Sequence, residues 1–314
     1  MIKRLLKFRS FVMLAAIVVF AMFASPRFAT AGNLMNLLTR IHVNGIVAVG
    51  MTIVIITGGF DLSVGSVMAF AGIVVMAVLP AGIVPAMLAG ICVGAAVGAL
   101  NGAIIAYFGI NPFITTLGTM AFVRGLALGV TNARPVPCVN VDFIMMGMSV
   151  GPAIFMFVLI AAMQFYLGYT RGGHNIYIFG SNKEAGFTAG IDMKRTQMKA
   201  YLLCSVCASF AGIFLSARLG TGSPVIANDA ALLAITAVIL GGTSLSGGGG
   251  SVVRTLIGIL ILEILTNILN LIGVTTYFQT LIKGLLVVGV VALEAPRFIS
   301  KGAGRRFTTP SSAA

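Results

Sequence analysis

Runs of about 20 apolar residues follow one another almost from end to end of this chain, broken by short polar or glycine-rich segments. A run of that length crosses the hydrocarbon of a bilayer as a helix, which satisfies its own backbone groups where no water can. The pattern predicts an all-α, polytopic integral membrane bundle of about ten transmembrane helices. Their expected positions are 10–25, 40–57, 64–80, 84–107, 112–131, 150–169, 199–219, 230–241, 251–273 and 276–294. The eighth is short for a span. Residues 1–9 read as a basic N-terminal segment, 10–296 as the membrane domain and 297–314 as a basic tail.

Composition removes the alternatives. Of 314 residues, 59% are hydrophobic, 9% are charged and 39 are glycine, whereas a soluble domain carries about 25% charged residues and about 7% glycine. The net charge of +13 would suggest nucleic acid in a soluble protein, but the basic residues are too sparse to form a binding face. Most of them cluster in three places. Lys3, Arg4, Lys7 and Arg9 precede the first span; Arg171, Lys183, Lys194, Arg195 and Lys199 surround the polar loop 170–199; Arg297, Lys301, Arg305 and Arg306 lie in the tail. Cytoplasmic segments retain the excess of Lys and Arg, so both termini and the 170–199 loop are assigned to the inside. Six spans before the loop and four after it agree with that assignment. Tyr107, Tyr166, Tyr169, Tyr201 and Tyr277 fall at span ends and are read as an aromatic belt in a chain without Trp. Ala29-Thr30-Ala31 resembles a signal cleavage site; we read the first span as a retained helix.

Few residues carry chemistry. Cys204 and Cys207 share one helix with no second pair or nearby His to complete a metal site, so the four cysteines are read as buried thiols rather than a disulfide or metal framework. Gly90, Gly94, Gly98 and Gly102 stack on one face of the fourth span. Such a ridge admits a neighbouring backbone closely, as a fixed seam or a sliding one, and is expected to draw that helix inside the bundle. Two segments resemble each other, Thr57-Gly58-Gly59-Phe60-Asp61-Leu62-Ser63 and Leu240-Gly241-Gly242-Thr243-Ser244-Leu245-Ser246. Both are read as cytoplasmic turns, with Gly58, Gly59, Asp61, Ser63, Gly241, Gly242 and Ser244 as candidates for a gate or vestibule; a plain interhelical turn is the other reading. The glycines Gly247 to Gly250 that follow lack the Lys-Ser/Thr of a phosphate-binding loop. The chain therefore binds no nucleotide cofactor directly, and ATP with its magnesium would belong to a partner.

The polar loop offers something else. Glu184 to Thr188 can form a helical turn with Asn182 as its N-cap and Gly190 as its stop, a short helix suited to a groove on a soluble partner. Within the spans, Asn111, Thr115 and Thr119 share a face of the fifth, and Glu263, Asn267 and Asn270 a face of the ninth. The stripes Asn111, Thr115, Thr119, Asn267 and Asn270 are candidates for a solute path, or for bonding between helices. Glu263 and Lys283 reach similar depths from opposite sides, roughly 16 and 12 Å at about 1.5 Å per residue, and are expected to form a buried ion pair.

Glu184, Ala185 and Gly190 resemble the coupling loop of ABC importer permeases, and further segments resemble the ribose and related monosaccharide permeases. These are Ser25-Pro26-Arg27-Phe28 with Asn33 and Asn36-Leu37, Gly58 through Ser66, Asn111 through Thr119 with Arg124-Gly125-Leu126, and Gly241 through Leu245. Phe60, Gly186, Arg254 and Glu263 depart from that pattern. The resemblance implies the membrane-spanning subunit of an ATP-driven sugar importer in the bacterial inner membrane. Its implied partners are ATPase subunits docked at Asn182, Glu184, Ala185 and Gly190, an extracytoplasmic sugar-binding protein, and a second permease copy, identical or paralogous. The rival reading is an autonomous secondary transporter or channel for a small neutral polar solute, whose coupling would show as carboxylates or His along the path; only Glu263 and Asp61 qualify. No convergent nucleophile or acid-base set indicates an enzyme.

Overall fold

The computed structural model describes residues 2–303, so the end of the expected tail, with Arg305 and Arg306, lies outside the described residues. The elements are α1 (Ile2–Ala24), α2 (Ala31–Ile56), α3 (Val64–Val78), α4 (Ile83–Tyr107), α5 (Pro112–Thr131), β1 (Val136–Pro137), α6 (Val141–Met148), α7 (Gly151–Tyr169), α8 (Arg171–Ser181), α9 (Lys183–Thr188), α10 (Met193–Leu219), β2 (Thr221–Gly222), α11 (Ala230–Leu240), α12 (Val252–Leu271) and α13 (Thr276–Ala303). Each expected span falls on a helix. Among the described residues seven helices are long and apolar enough to cross a membrane, namely α2, α3 with its 3-10 extension to Ala81, α4, α5, α7, α10 and α12; α11 and the apolar parts of α1 and α13 are shorter. The sequence pattern missed α6 and the antiparallel pairing of β1 with β2, and it read α8 as loop.

Two helices form the centre. From Ile41 to Ile56 nearly every residue of α2 is buried, whichever side it faces, as a helix apolar all round should be. Thr30 caps its start, accepting from the Asn33 backbone N–H, so α2 begins well before the expected span. Helix α10 packs on it so closely that a Cβ on Gly50 would lie 2.8 Å from Cys204 Cα. On its other side α10 receives the glycine ridge of α4. A Cβ on Gly94, Gly98 or Gly102 would fall 2.5 Å from Ser205 O, 2.8 Å from Leu202 Cα and 2.9 Å from Met198 Cα. Those are backbone atoms, which cannot swing aside, so the ridge is a fixed seam. It does not draw α4 inside: Val84, Leu88 and Leu100 on the opposite face are exposed. One glycine face suffices to join two helices while the other face stays exposed. Tyr201 likewise leaves the expected belt. It is fully buried on α10, its hydroxyl donating to Phe60 O at 3.4 Å.

The eighth span is short because a segment without helix precedes it. Helix α11 has 11 residues, about 16 Å, or half a hydrocarbon core of about 30 Å. The chain reaches it through 221–229, a segment without helix beyond the β2 pairing. That segment lies antiparallel against α3: a Cβ on Gly222 would be 2.9 Å from Gly72 O, and one on Gly65 would be 2.3 Å from Ala227 O and 3.8 Å from Ala230 Cβ. The first turns of α3 and α11 thus stand side by side. Irregular backbone at such depth persists only where protein groups satisfy it. Arg124 of α5, the charge its apolar span left unexplained, does so by donating from Nη1 to the carbonyls of Pro224 and Ile226.

Candidate coupling and translocation site

The loop helix is built from its caps. Asn182 Oδ1 accepts from the backbone N–H groups of Glu184 and Ala185, at 3.0 and 3.1 Å. At the other end Gly190, at φ +73°, donates to Phe187 O, and Ile191 donates to Gly186 O. This is the Schellman arrangement, in which a left-handed glycine closes the last turn. Between the caps Glu184, Ala185 and Phe187 are exposed, Phe187 to 77%. Gly186 alone turns inward; a Cβ there would meet Met193 Cε at 1.9 Å and Ile178 Cγ2 at 3.1 Å, which accounts for this departure from the family pattern.

Helix α8, which sequence reasoning missed, carries α9 onto both glycine turns. A Cβ on Gly180 would fall 1.8 Å from Ile56 O and 2.5 Å from Gly248 N. Ser181 Oγ lies 3.3 Å from Gly248 O, and Tyr177 donates its hydroxyl to Gly250 O at 3.0 Å. Partial burial raises the Tyr177 pKa, an effect the nearby Arg254 charge opposes, so this hydroxyl keeps its proton and stays a donor. The two turns also hold each other, with Gly248 N–H donating to Ile56 O at 2.8 Å. Gly58 and Gly242 sit at φ +80° and +88°, a region costly to residues with a Cβ. A Cβ on Gly59 would strike the Tyr201 hydroxyl, and one on Gly241 would lie 2.5 Å from Arg254 O. Arg254 itself is exposed on the first turn of α12, where a side chain in place of glycine costs no packing. Ser244 Oγ accepts from Ser246 N–H, inside its own turn.

Beyond Gly59 the first turn runs into the core. Asp61 is fully buried. Its Oδ1 accepts from the Ser63 N–H at 2.9 Å and the Ser63 hydroxyl at 2.5 Å, and Ser205 Oγ of α10 lies 3.4 Å from Oδ2. Ser63 Oγ in turn accepts from Asn101 Nδ2 of α4 at 3.0 Å, and Asn101 Oδ1 accepts from Thr119 of α5 at 2.7 Å. Among the described residues no cation forms an ion pair with Asp61. Asn101 and Ser205 were not singled out from the sequence, although an amide inside an apolar span was a sufficient signal for Asn101.

The remaining candidates divide. Asn111 caps α5, accepting from the Phe113 N–H at 2.8 Å, and Thr115 donates back to Asn111 O. Asn267 forms a reciprocal amide pair with Asn33, at 3.0 and 2.8 Å, and Asn270 accepts from Gln279 at 2.9 Å. For those two the helix-to-helix reading describes what the structure does. Glu263 does not form the expected ion pair with Lys283. It accepts instead from Asn44 Nδ2 of α2, while the charges of Lys283, Arg40 and Arg218 act on it from beyond contact distance. Equal depth brought the two residues to the same level but not to the same face; α2 stands nearer α12.

The chain is a polytopic bundle whose loop helix α8 meets the glycine-rich turns, and it belongs to the importer permeases: residues 33–291 match the family described as branched-chain amino acid transport system / permease component. It is a transporter subunit, not an enzyme. Among sugar permeases it is 38% identical to the ribose import permease protein RbsC of Escherichia coli (strain K12), over 92% of this chain and 94% of that one. It is 36% identical to the D-allose transport system permease protein AlsC of the same strain, over 94% and 93%, and 33% identical to its L-arabinose transport system permease protein AraH, over 86% and 84%. No solved structure matches the chain.

Proposed function

We propose that this chain is the membrane-spanning subunit of an ATP-driven importer for a monosaccharide, ribose or a close relative, in the bacterial inner membrane. In this reading it crosses the membrane ten times with both termini inside, pairs with a second permease copy, receives sugar from an extracytoplasmic binding protein, and is driven by ATPase subunits docked on α9. The relatives' substrates support the sugar class. The single observation that carries the mechanism is the seating of α8, which leads directly into α9, on Ile56 and the glycines Gly248 and Gly250 through Gly180, Ser181 and Tyr177. A push on the exposed face of α9 is delivered by α8 to the junction of Ile56 with Gly248, and from there to the feet of α3 and α12. Because the irregular backbone of both turns lies at that junction, they can rearrange while α4 and α10, locked by their glycine seam, do not. Alternating access then amounts to the turns opening and closing the inner end of the path as the ATPases close and separate.

The permease, reconstituted with its ATPase and binding protein, tests the coupling role. Glu184→Lys combined with Gly190→Val is expected to abolish sugar-stimulated ATP hydrolysis or ATPase binding. Full transport by that variant would contradict the assignment.

A further inference from the structure

We propose that Asn101 is a positioning residue that ties both the Asp61 turn and the polar face of α5 to the fixed seam of α4 and α10, so that its loss frees the turn from α5. This rests on the transport reading above. The hydrogen bonds have one direction. Thr119, whose hydroxyl proton has Thr115 O at 3.0 Å as its other acceptor, lies 2.7 Å from Asn101 Oδ1; Asn101 donates from Nδ2 to Ser63 Oγ, and Ser63 donates to Asp61 Oδ1. Ser63 spends its only proton on Asp61, so its oxygen is free to receive one, and the Asn101 amide gives to Ser63 while accepting from Thr119.

Burial and anchoring show why this is more than local satisfaction. Asn101, Ser63 and Asp61 are fully buried and Thr119 nearly so, and hydrogen bonds gain strength where water is excluded. Asn101 lies between Gly98 and Gly102, the two ridge positions pressed against Leu202 and Met198 of α10. It therefore sits on the close seam of α4 with α10. Ser205 reaches Asp61 from α10, so both helices of the seam meet the turn. Thr119 belongs to α5, whose Gly118, Gly125 and Gly129 meet no neighbouring atom and whose Arg124 holds the carbonyls of Pro224 and Ile226. One amide thus stands between the Asp61 turn and the helix that holds the 221–229 segment.

The test measures D-ribose imported per ATP hydrolysed in proteoliposomes holding the whole complex. Asn101→Asp keeps the shape and the acceptor for Thr119 but loses the donor to Ser63; Asn101→Leu loses both. Each is expected to lower the ratio at least fivefold while ATPase binding and sugar-independent hydrolysis stay within twofold. Gly98→Ala strains the same two helices without touching the series, and its folded fraction is expected to keep the wild-type ratio. Should Asn101→Leu fail to assemble, Asn101→Asp with Ser63→Ala decides. An unchanged ratio in the Asn101 variants, or an equal fall in Gly98→Ala, overturns the positioning role. A wild-type complex that hydrolyses ATP without importing sugar overturns the transport reading instead.

Discussion

Single residues here act through what they allow a neighbour to do. Gly190 sits in open space at φ +73°, so Gly190→Ala meets no clash and suffers only the left-handed penalty of about 1–2 kcal/mol. That cost falls on the helix α9 stop, and the expected outcome is weakened ATPase binding with the thermal stability of the bundle unchanged, readable by pull-down beside a melting curve. Glu263 is the contrasting case. Its contact is Asn44, so Asn44→Leu is expected to cost about 1.5–3 kcal/mol, the range for a hydrogen bond to a charged group. In double-mutant cycles, Asn44→Leu and Glu263→Leu, which removes the acceptor as well as the charge, should be strongly non-additive, whereas Lys283→Met and Glu263→Gln should add. Coupling in the second pair and not the first would show that Lys283 is the partner after all. The cap Asn182, the stop Gly190 and the left-handed Gly58 and Gly242 were legible in the sequence because their causes are local. The Glu263 partner was not, because depth along a helix is written in the sequence while the rotation between helices is set by packing.

Elements repeat the same division. The glycines of α4 and α5 look alike as sequence, yet the first set is pressed on α10 and the second meets nothing. Gly94→Val is therefore expected to overpack the seam and cost at least about 1–3 kcal/mol, with loss of folded protein in detergent. Gly118→Ala is expected to be neutral or to gain about 0.5–1 kcal/mol from helix propensity. Equal behaviour of the two would remove the fixed-seam account. The spans themselves were legible from apolar runs, and α9 from its caps. Helix α8 was hidden because its polar surface and glycine pair read as loop, and its caps matter only once Ile176 and Phe179 find buried places. The shortness of α11 was visible, but its reason was not. A segment of turns held by Arg124 and by the small face of α3 is a tertiary fact. Arg124→Gln is expected to keep the helices and loosen 221–229, seen as faster hydrogen exchange confined to that segment; exchange unchanged there would count against the clamp.

For the whole molecule, the positive charge that in a soluble protein would indicate nucleic acid instead falls mostly in three clusters, one of them around the loop that carries α9. The architecture joins one rigid unit, α4 with α10, to two glycine turns that meet under α8. Asp61, Ser63, Asn101 and Thr119 extend that junction to α5. The account predicts a device that moves sugar only when force is applied to α9 from inside. Its most direct test is uptake of labelled D-ribose into proteoliposomes containing the permease, its ATPase and its binding protein. Uptake is predicted to require ATP at the ATPase face and to continue when ionophores collapse every ion gradient. Uptake driven by an ion gradient in the absence of ATP would contradict it.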